Sequence, residues 1–244
     1  MKHIVKWGDK MKPLIGILGR SESSETGMPL ISVQEKERIA IIQAGGVPFL
    51  ILPPQQVEYR KEKPRDMKGM TEEEKEILAQ QISLVDGILL PGGDISYEYD
   101  RYIVSQAIKK DIPLLGICMG MQVMTFYNQN SNLQRIEHSN LHFNKHKKYV
   151  HMIIIDENSK LYQILKQEKI KVNSIHHYET KKSDTFHVTA ISEDGVIEAI
   201  EYPKCHFCIG VQFHPELMIE FDENSRKLFD AFINESLLYH KRHI

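Results

Sequence analysis

The chain has 244 residues, a formal net charge of −2 and 26% charged side chains, which excludes the strong basic field of a nucleic-acid binder and the charge density of a disordered acidic tail. No apolar run reaches membrane-spanning length, and residues 1–10 lack the apolar core of a secretory signal. Three cysteines, an odd number, fit a reducing, cytoplasmic setting better than a disulfide framework.

One α/β domain over residues 11–244 is expected, with residues 1–10 as an extension ahead of Met11-Lys12-Pro13. Residues 12–19 read as a buried strand, and the Ser/Glu/Thr/Gly-rich residues 20–29 as a polar loop. Ser32 with Glu35 predicts a capping box that opens a helix running through Ala44, where Gly45-Gly46 stops it. A second strand over 47–52 closes at Pro53-Pro54, so the chain opens β-α-β and a parallel sheet is expected. The charged residues 55–69 read as a solvated loop, a partner-binding patch being the other use of such charge. Thr71 with Glu74 predicts a second capping box, over a helix with Ile77, Leu78, Ile82 and Val85 as its apolar stripe. That helix delivers the strand 87–90, which ends in Pro91-Gly92-Gly93-Asp94. Paired glycines there require a tight turn or a close approach of the backbone to something else.

A short helix over 101–110, with Ile103, Ala107 and Ile108 inward, precedes the most informative stretch. Residues 112–117 are an apolar run opened by proline, and 122–127 are apolar at helical spacing. Between them lies Gly116-Ile117-Cys118-Met119-Gly120, the thiol counterpart of the Gly-x-Ser-x-Gly nucleophile elbow, in which small flanking residues permit a sharp, strained turn. Helix amino termini favour thiolates, the nucleophilic form of cysteine. A buried core cysteine is the other reading of this stretch alone.

Residues 128–148 are polar and place His138, His142 and His146 at four-residue spacing, which on a helix would gather them on one face. No carboxylate or thiolate stands at ligand spacing among them, so no metal is expected there. The last third has a different pattern, in which 150–155, 171–175, 186–192, 196–202 and 205–213 read as strands and Glu193-Asp194-Gly195 as a hairpin turn. Antiparallel strands therefore extend the sheet. Cys205 and Cys208 form a Cys-x-x-Cys without the second pair that a zinc ribbon needs. A final amphipathic helix spans 222–240 and buries Leu228, Phe229, Phe232, Ile233 and Leu237.

A cysteine nucleophile needs a base for its proton and a group to orient that base. His214-Pro215-Glu216, just past the apolar strand 209–213, offers both, at the edge where ligand crevices open in α/β sheets. With a Gly-Gly turn able to present backbone N–H groups, the parts of an acyl-transfer site are present.

These motifs, with Asn173-Ser174-Ile175-His176-His177 and Asp194-Gly195-Val196-Ile197-Glu198-Ala199, resemble a class I glutamine amidotransferase domain. The resemblance runs from about Met11 to Asn234 and is nearest to the γ-glutamyl-γ-aminobutyrate hydrolase-like branch. It implies an α/β, flavodoxin-like fold: a mainly parallel central sheet flanked by helices, with an antiparallel extension in the C-terminal third. It also implies that Cys118 attacks a γ-glutamyl amide, that His214 shuttles the proton, and that Glu216 orients His214. Gly93 and Met119 would supply oxyanion-hole N–H groups, while Gly92, Gln122, His177 and Tyr178 would contact the glutamyl side. No cofactor or metal is implied, and the expected partner is a small-molecule γ-glutamyl substrate rather than nucleic acid or membrane. A homodimer is compatible with the resemblance, and a synthase partner belongs to the alternative in which the chain is an ammonia-supplying glutaminase subunit. Three departures from the hydrolase branch bear on the identity of the amine: Met119 where arginine is common, Gln129-Asn130 where Gly-Gly is common, and a compact segment between Gly93 and Cys118.

Overall fold

The computed structural model describes residues 11–57, 69–131, 133–137 and 141–243. The N-terminal extension, most of the charged stretch after Gln55, and His138 lie outside the described residues. The strands are β1 (Leu14–Leu18), β2 (Arg20–Ser23), β3 (Pro29–Ser32), β4 (Val47–Ile51), β5 (Gly87–Leu90), β6 (Leu114–Ile117) and β7 (Leu133–Arg135). They continue with β8 (His151–Ile155), β9 (Lys169–Val172), β10 (Tyr178–Thr180), β11 (His187–Ser192), β12 (Ile197–Glu201) and β13 (Cys208–Val211). The helices are α1 (Glu35–Gln43), α2 (Glu72–Ile82), α3 (Glu98–Lys110), α4 (Met119–Phe126), α5 (Lys160–Leu165) and α6 (Glu223–Arg242). No described helix is long and apolar enough to cross a membrane.

Nine strands form one sheet in the order β4-β1-β5-β6-β13-β12-β11-β8-β9. The first five are mutually parallel, and the remainder add in antiparallel fashion from β12 onward. β5 and β6 are buried along their whole length, as expected of parallel strands covered on both faces. One face carries α1, α5 and α6 through Ile41, Leu161, Leu165, Phe229 and Phe232. The other carries α2, α3 and α4 through Leu78, Ile82, Ile103, Val104 and Met124. At the margins, edge strand β4 contains Pro48, and edge strand β9 exposes Lys169 and Lys171.

Two sequence expectations near the start are corrected. Residues 20–29 are not simply a loop: β2 and β3 form an antiparallel hairpin in which Arg20 pairs with Ser32 and Ser23 with Pro29. Its turn closes through Gly27, at φ +81°, whose N–H donates to Ser24 O at 2.9 Å. Because Ser32 belongs to β3, the helix start moves on two residues. Gln34 is the N-cap of α1, and its N–H donates to Glu37 Oε2 at 3.2 Å. The Thr71–Glu74 capping box forms as expected, with Glu74 N donating to Thr71 Oγ1 at 3.2 Å and Thr71 N to Glu74 Oε2 at 2.7 Å. In α2, Leu78 and Ile82 are buried, whereas Ile77 faces outward.

The corner between β6 and α4 depends on close backbone approach. A Cβ built on Gly120 would stand 2.0 Å from the Leu90 carbonyl oxygen, and one on Gly116 would stand 2.5 Å from Met124 Sδ. We expect Gly120→Ala to lower stability by about 3 kcal/mol. Gly69→Ala, where a Cβ would meet nothing within 4 Å among the described residues, should stay within about 0.5 kcal/mol of the parent. Urea unfolding midpoints check this, and equal midpoints for the two variants would show that the corner is not tightly packed.

Candidate active site

β6 runs into α4 through Cys118, which has φ +52° and ψ −108°. A non-glycine residue with positive φ outside a turn carries backbone strain. The strain is held by a hydrogen bond from Cys118 N to Val211 O at 2.8 Å and by the packed glycines on either side. Met119 is the first residue of α4, so its N–H has no partner within the helix.

The next strand in the sheet is β13, parallel to β6 with Val211 opposite Ile117. Three residues beyond Val211 lies His214, at the head of a 3-10 turn over Pro215–Leu217. His214 Nδ1 is 2.7 Å from Glu216 Oε1, which leaves Nε2 free of that pairing, and both the ring and Cys118 Cβ pack against Gly92. Burial of the imidazole disfavours its charge, but the Glu216 carboxylate and the Cys118 sulfur outweigh that, and its pKa lies well above the ordinary value. The backbone of His214 is clamped by Asn173: His214 N donates to Asn173 Oδ1 at 2.8 Å, and Asn173 Nδ2 donates to His214 O at 2.8 Å.

The Gly-Gly turn after β5 completes the arrangement. A Cβ on Gly92 would stand 3.1 Å from His214 Cε1 and 3.5 Å from Cys118 Cβ, and one on Gly93 would stand 3.0 Å from Met119 Cε. The turn is braced by Arg20, whose side chain donates to the carbonyls of Gly92 and Pro91 and pairs with the fully buried Asp100 on α3. A cavity of about 350 Å³ opens beside it, lined by Arg20, Ser21, Glu22, Gly93, Asp94 and Ile95.

Cys118, Met119, Gly92, Gly93, His214 and Glu216 are thus brought together. Gln122 lies one turn into α4, and its amide donates to Tyr178 O at 3.0 Å and to Gln212 Oε1 at 3.1 Å. It fixes the backbone where β10 begins. His177 is exposed and stacked on Phe143 at 4.1 Å between ring centroids, and Tyr178 is exposed. Cys205 and Cys208 are buried away from this corner; burial raises the first thiol to about 12 and the second well above the ordinary thiol value. Neither is a reactive sulfur.

Three residues of the site do not stand out in the sequence. Arg20 begins a polar stretch with the composition of a loop, and Asn173 is distinguished only as part of a longer motif. Glu37 on α1 is buried near Glu216, Arg20 and His214. Burial first, and then the Glu216 charge, raises its pKa from 4.5 to about 8. A carboxylate at helical spacing from Ala40 and Ile41, on the face of α1 that is buried, is the signal that could have found it.

A cysteine held at a strained strand–helix corner, facing a His–Glu pair, is the arrangement of a cysteine-type amide hydrolase or amidotransferase. The chain belongs to the Peptidase C26 family, in the class I glutamine amidotransferase-like group; the family model matches residues 94–216. The Schizosaccharomyces pombe protein PB2B2.05, named among the glutamine amidotransferases, is 33% identical over 230 residues, 83% of this chain and 82% of that protein. The γ-glutamyl-γ-aminobutyrate hydrolase PuuD of Escherichia coli is 27% identical over 252 residues, covering 91% of this chain and 92% of the enzyme. Among solved structures, the glutaminase domain of Trypanosoma brucei CTPS with bound acivicin superposes with a TM-score of 0.63 at 16% identity, over 93% of this chain and 94% of that domain. That last likeness concerns the fold.

The raised pKa of Glu37 links stability to pH with a definite sign. Above about pH 4.5 an unfolded carboxyl loses its proton while the folded one keeps it until about pH 8, so stability falls as pH rises through this window. The slope for one such group is at most about 1.4 kcal/mol per pH unit. Glu37→Gln removes this contribution, and urea unfolding at pH 5 and pH 8 should show a smaller loss of stability than in the parent; parallel losses would mean that Glu37 is ionised in the fold.

Proposed function

We propose that the chain hydrolyses a γ-glutamyl amide, such as γ-glutamyl-γ-aminobutyrate or a related γ-glutamyl amine, to glutamate and the free amine. The observation that carries this reading is Cys118 at the corner beside Gly92, against which the His214 ring also packs, with that ring held by Glu216 at 2.7 Å. Cys118 Sγ attacks the γ-carbonyl carbon, and the oxygen becomes an oxyanion received by the N–H groups of Gly93 and Met119. The imidazolium of His214 gives its proton to the departing nitrogen, so the amine leaves neutral and a thioester remains. Water then attacks that thioester with His214 as base. The tetrahedral adduct expels the sulfur, and glutamate is released. Glu216 holds the ring in the tautomer that points Nε2 at the sulfur, and Asn173 holds its backbone.

The glutamyl side is read as the backbone around His177 and Tyr178, tied to Gln122, with Gly92 as floor. Mass balance requires only water, and no step uses a cofactor. A second reading, a glutaminase that passes ammonia to a synthase, is favoured by the compact connection in which only α3 separates the Gly92-Gly93 turn from β6. The two readings differ in the activity of the isolated chain.

A panel of γ-glutamyl-γ-aminobutyrate, other γ-glutamyl amines and glutamine, compared by kcat/KM, tests the proposal. Turnover of a γ-glutamyl amine by the isolated chain is expected; silence on the whole panel, with no covalent adduct at Cys118 from a glutamine-analogue electrophile, would overturn the catalytic reading. Cys118→Ser and His214→Ala should each lower kcat by about 10⁴-fold or more, and Glu216→Gln by about a hundredfold or more. Cys205→Ser should leave kcat unchanged.

A further inference from the structure

Away from the thiol, the antiparallel half of the molecule gathers three buried side chains and one half-buried side chain that the reaction does not use. His142 precedes β8 in a loop, His151 opens β8, His176 lies between β9 and β10, and Glu198 stands on β12. One ligand-type atom from each lies within 4.8 Å of all the others. Glu198 Oε1 is 3.4 Å from His142 Nδ1, 3.5 Å from His151 Nε2 and 3.6 Å from His176 Nε2. These separations exceed the usual length of a hydrogen bond, about 2.7–3.2 Å. They match instead the three edges that meet at one corner of a tetrahedron whose centre lies about 2.0–2.2 Å from each corner, since such edges are roughly 3.3–3.6 Å. The rings fan around that centre rather than stack, with His142 tilted 59° to His151 and 54° to His176.

The protons point the same way. His142 Nε2 is 2.9 Å from Asp194 Oδ2, His151 Nδ1 is 3.3 Å from Met152 O, and His176 Nδ1 is 3.1 Å from Tyr178 O. Each outer partner is an acceptor, so each ring, when neutral, spends its N–H outward and turns a lone pair inward. The three inward nitrogens and both oxygens of Glu198 are buried and lack hydrogen-bond partners. Glu198 is fully buried, and a carboxylate so placed is costly unless a cation meets it. Four converging acceptors with no donor among them describe a cation site. The outward bonds, above all the carboxylate–histidine pair at Asp194, are those that orient imidazole ligands. A cleft of about 540 Å³ lined by His142, Tyr149, His151 and Asp194 opens the cluster to solvent.

We propose that His142, His151, His176 and Glu198 form a closed, structural Zn²⁺ site. Three nitrogens and one carboxylate oxygen at tetrahedral spacing suit zinc among the common divalent ions. The ion would tie four separate segments together. Ser174 and His176 already hydrogen-bond the His142 carbonyl, at 2.7 and 2.9 Å. The same segment carries Asn173, which clamps His214, and Tyr178, whose carbonyl receives Gln122. The zinc site would therefore stiffen the wall of the catalytic corner from outside it. Sequence spacing groups His142 with His138 and His146 instead; His146 is exposed and outside the cluster, and His138 lies outside the described residues.

The test uses the full chain, stripped with a chelator and titrated with Zn²⁺ and, separately, Co²⁺. The expected result is one equivalent of either ion per chain, a rise in Tm with zinc, and a tetrahedral cobalt spectrum without thiolate-to-cobalt charge transfer. The Cys205→Ser, Cys208→Ser double variant should bind as the parent does. Glu198→Gln and His176→Ala should each weaken binding about a hundredfold or more. A parent chain that takes up no ion, or a cobalt spectrum showing thiolate ligation, overturns the proposal without recourse to any variant. Unchanged affinity in both ligand variants would overturn it as well.

Discussion

The parallel pairing of β6 with β13 is the constraint on which the candidate site depends. Because the two strands run the same way as neighbours, their carboxyl ends emerge at one edge of the sheet, and the ladder between them, from Leu114 N to Phe207 O at 2.9 Å to Cys118 N to Val211 O at 2.8 Å, sets their relative height. Cys118 then leaves β6 immediately, while His214 leaves β13 three residues later and the chain folds back through Pro215. A shift of register by one residue would move the thiol away from the imidazole and turn every side chain of the strand to the opposite face. Switching to antiparallel neighbours only at β12 leaves this pair intact and lets the chain build a second, differently used region beyond it.

The strain at Cys118 is intelligible in the same terms. The backbone must turn within one peptide so that α4 can begin under the strand end, and only residues without Cβ leave room for the Leu90 carbonyl on one side and Met124 on the other. Arg20 supports the facing turn with the carbonyls of Pro91 and Gly92 and with Asp100. Burial raises the pKa of Asp100 while Arg20 opposes the rise. Removing one member of such a buried pair leaves an uncompensated charge, which generally costs about 3–5 kcal/mol. The turn is thus braced by a satisfied pair of charges.

Much of this is legible in the sequence because its signals are local. The glycines around Cys118, the proline-bounded apolar runs, the Thr71–Glu74 box and the His214-Pro215-Glu216 turn are each defined within a few residues. What escapes depends on distant partners. The hairpin of β2 and β3 reads as a loop because its polar residues give no alternation, and its anchor, Arg20, finds Asp100 and Gly92 more than seventy positions away. Glu37 reads as an ordinary helical carboxylate until α1 is placed against Glu216. The histidines mislead for the opposite reason: a regular spacing suggests a shared helix face, whereas His142 sits in a loop and meets side chains from β8, β12 and the approach to β10.

The margins of the nine-stranded sheet bear on how copies of the chain can meet. At one margin Pro48 removes a backbone donor from β4; at the other, the Lys169 and Lys171 side chains put positive charge along β9. Both devices discourage the lateral addition of another strand. Growth of the sheet across molecules, the route toward fibrous aggregates, is therefore blunted at each end.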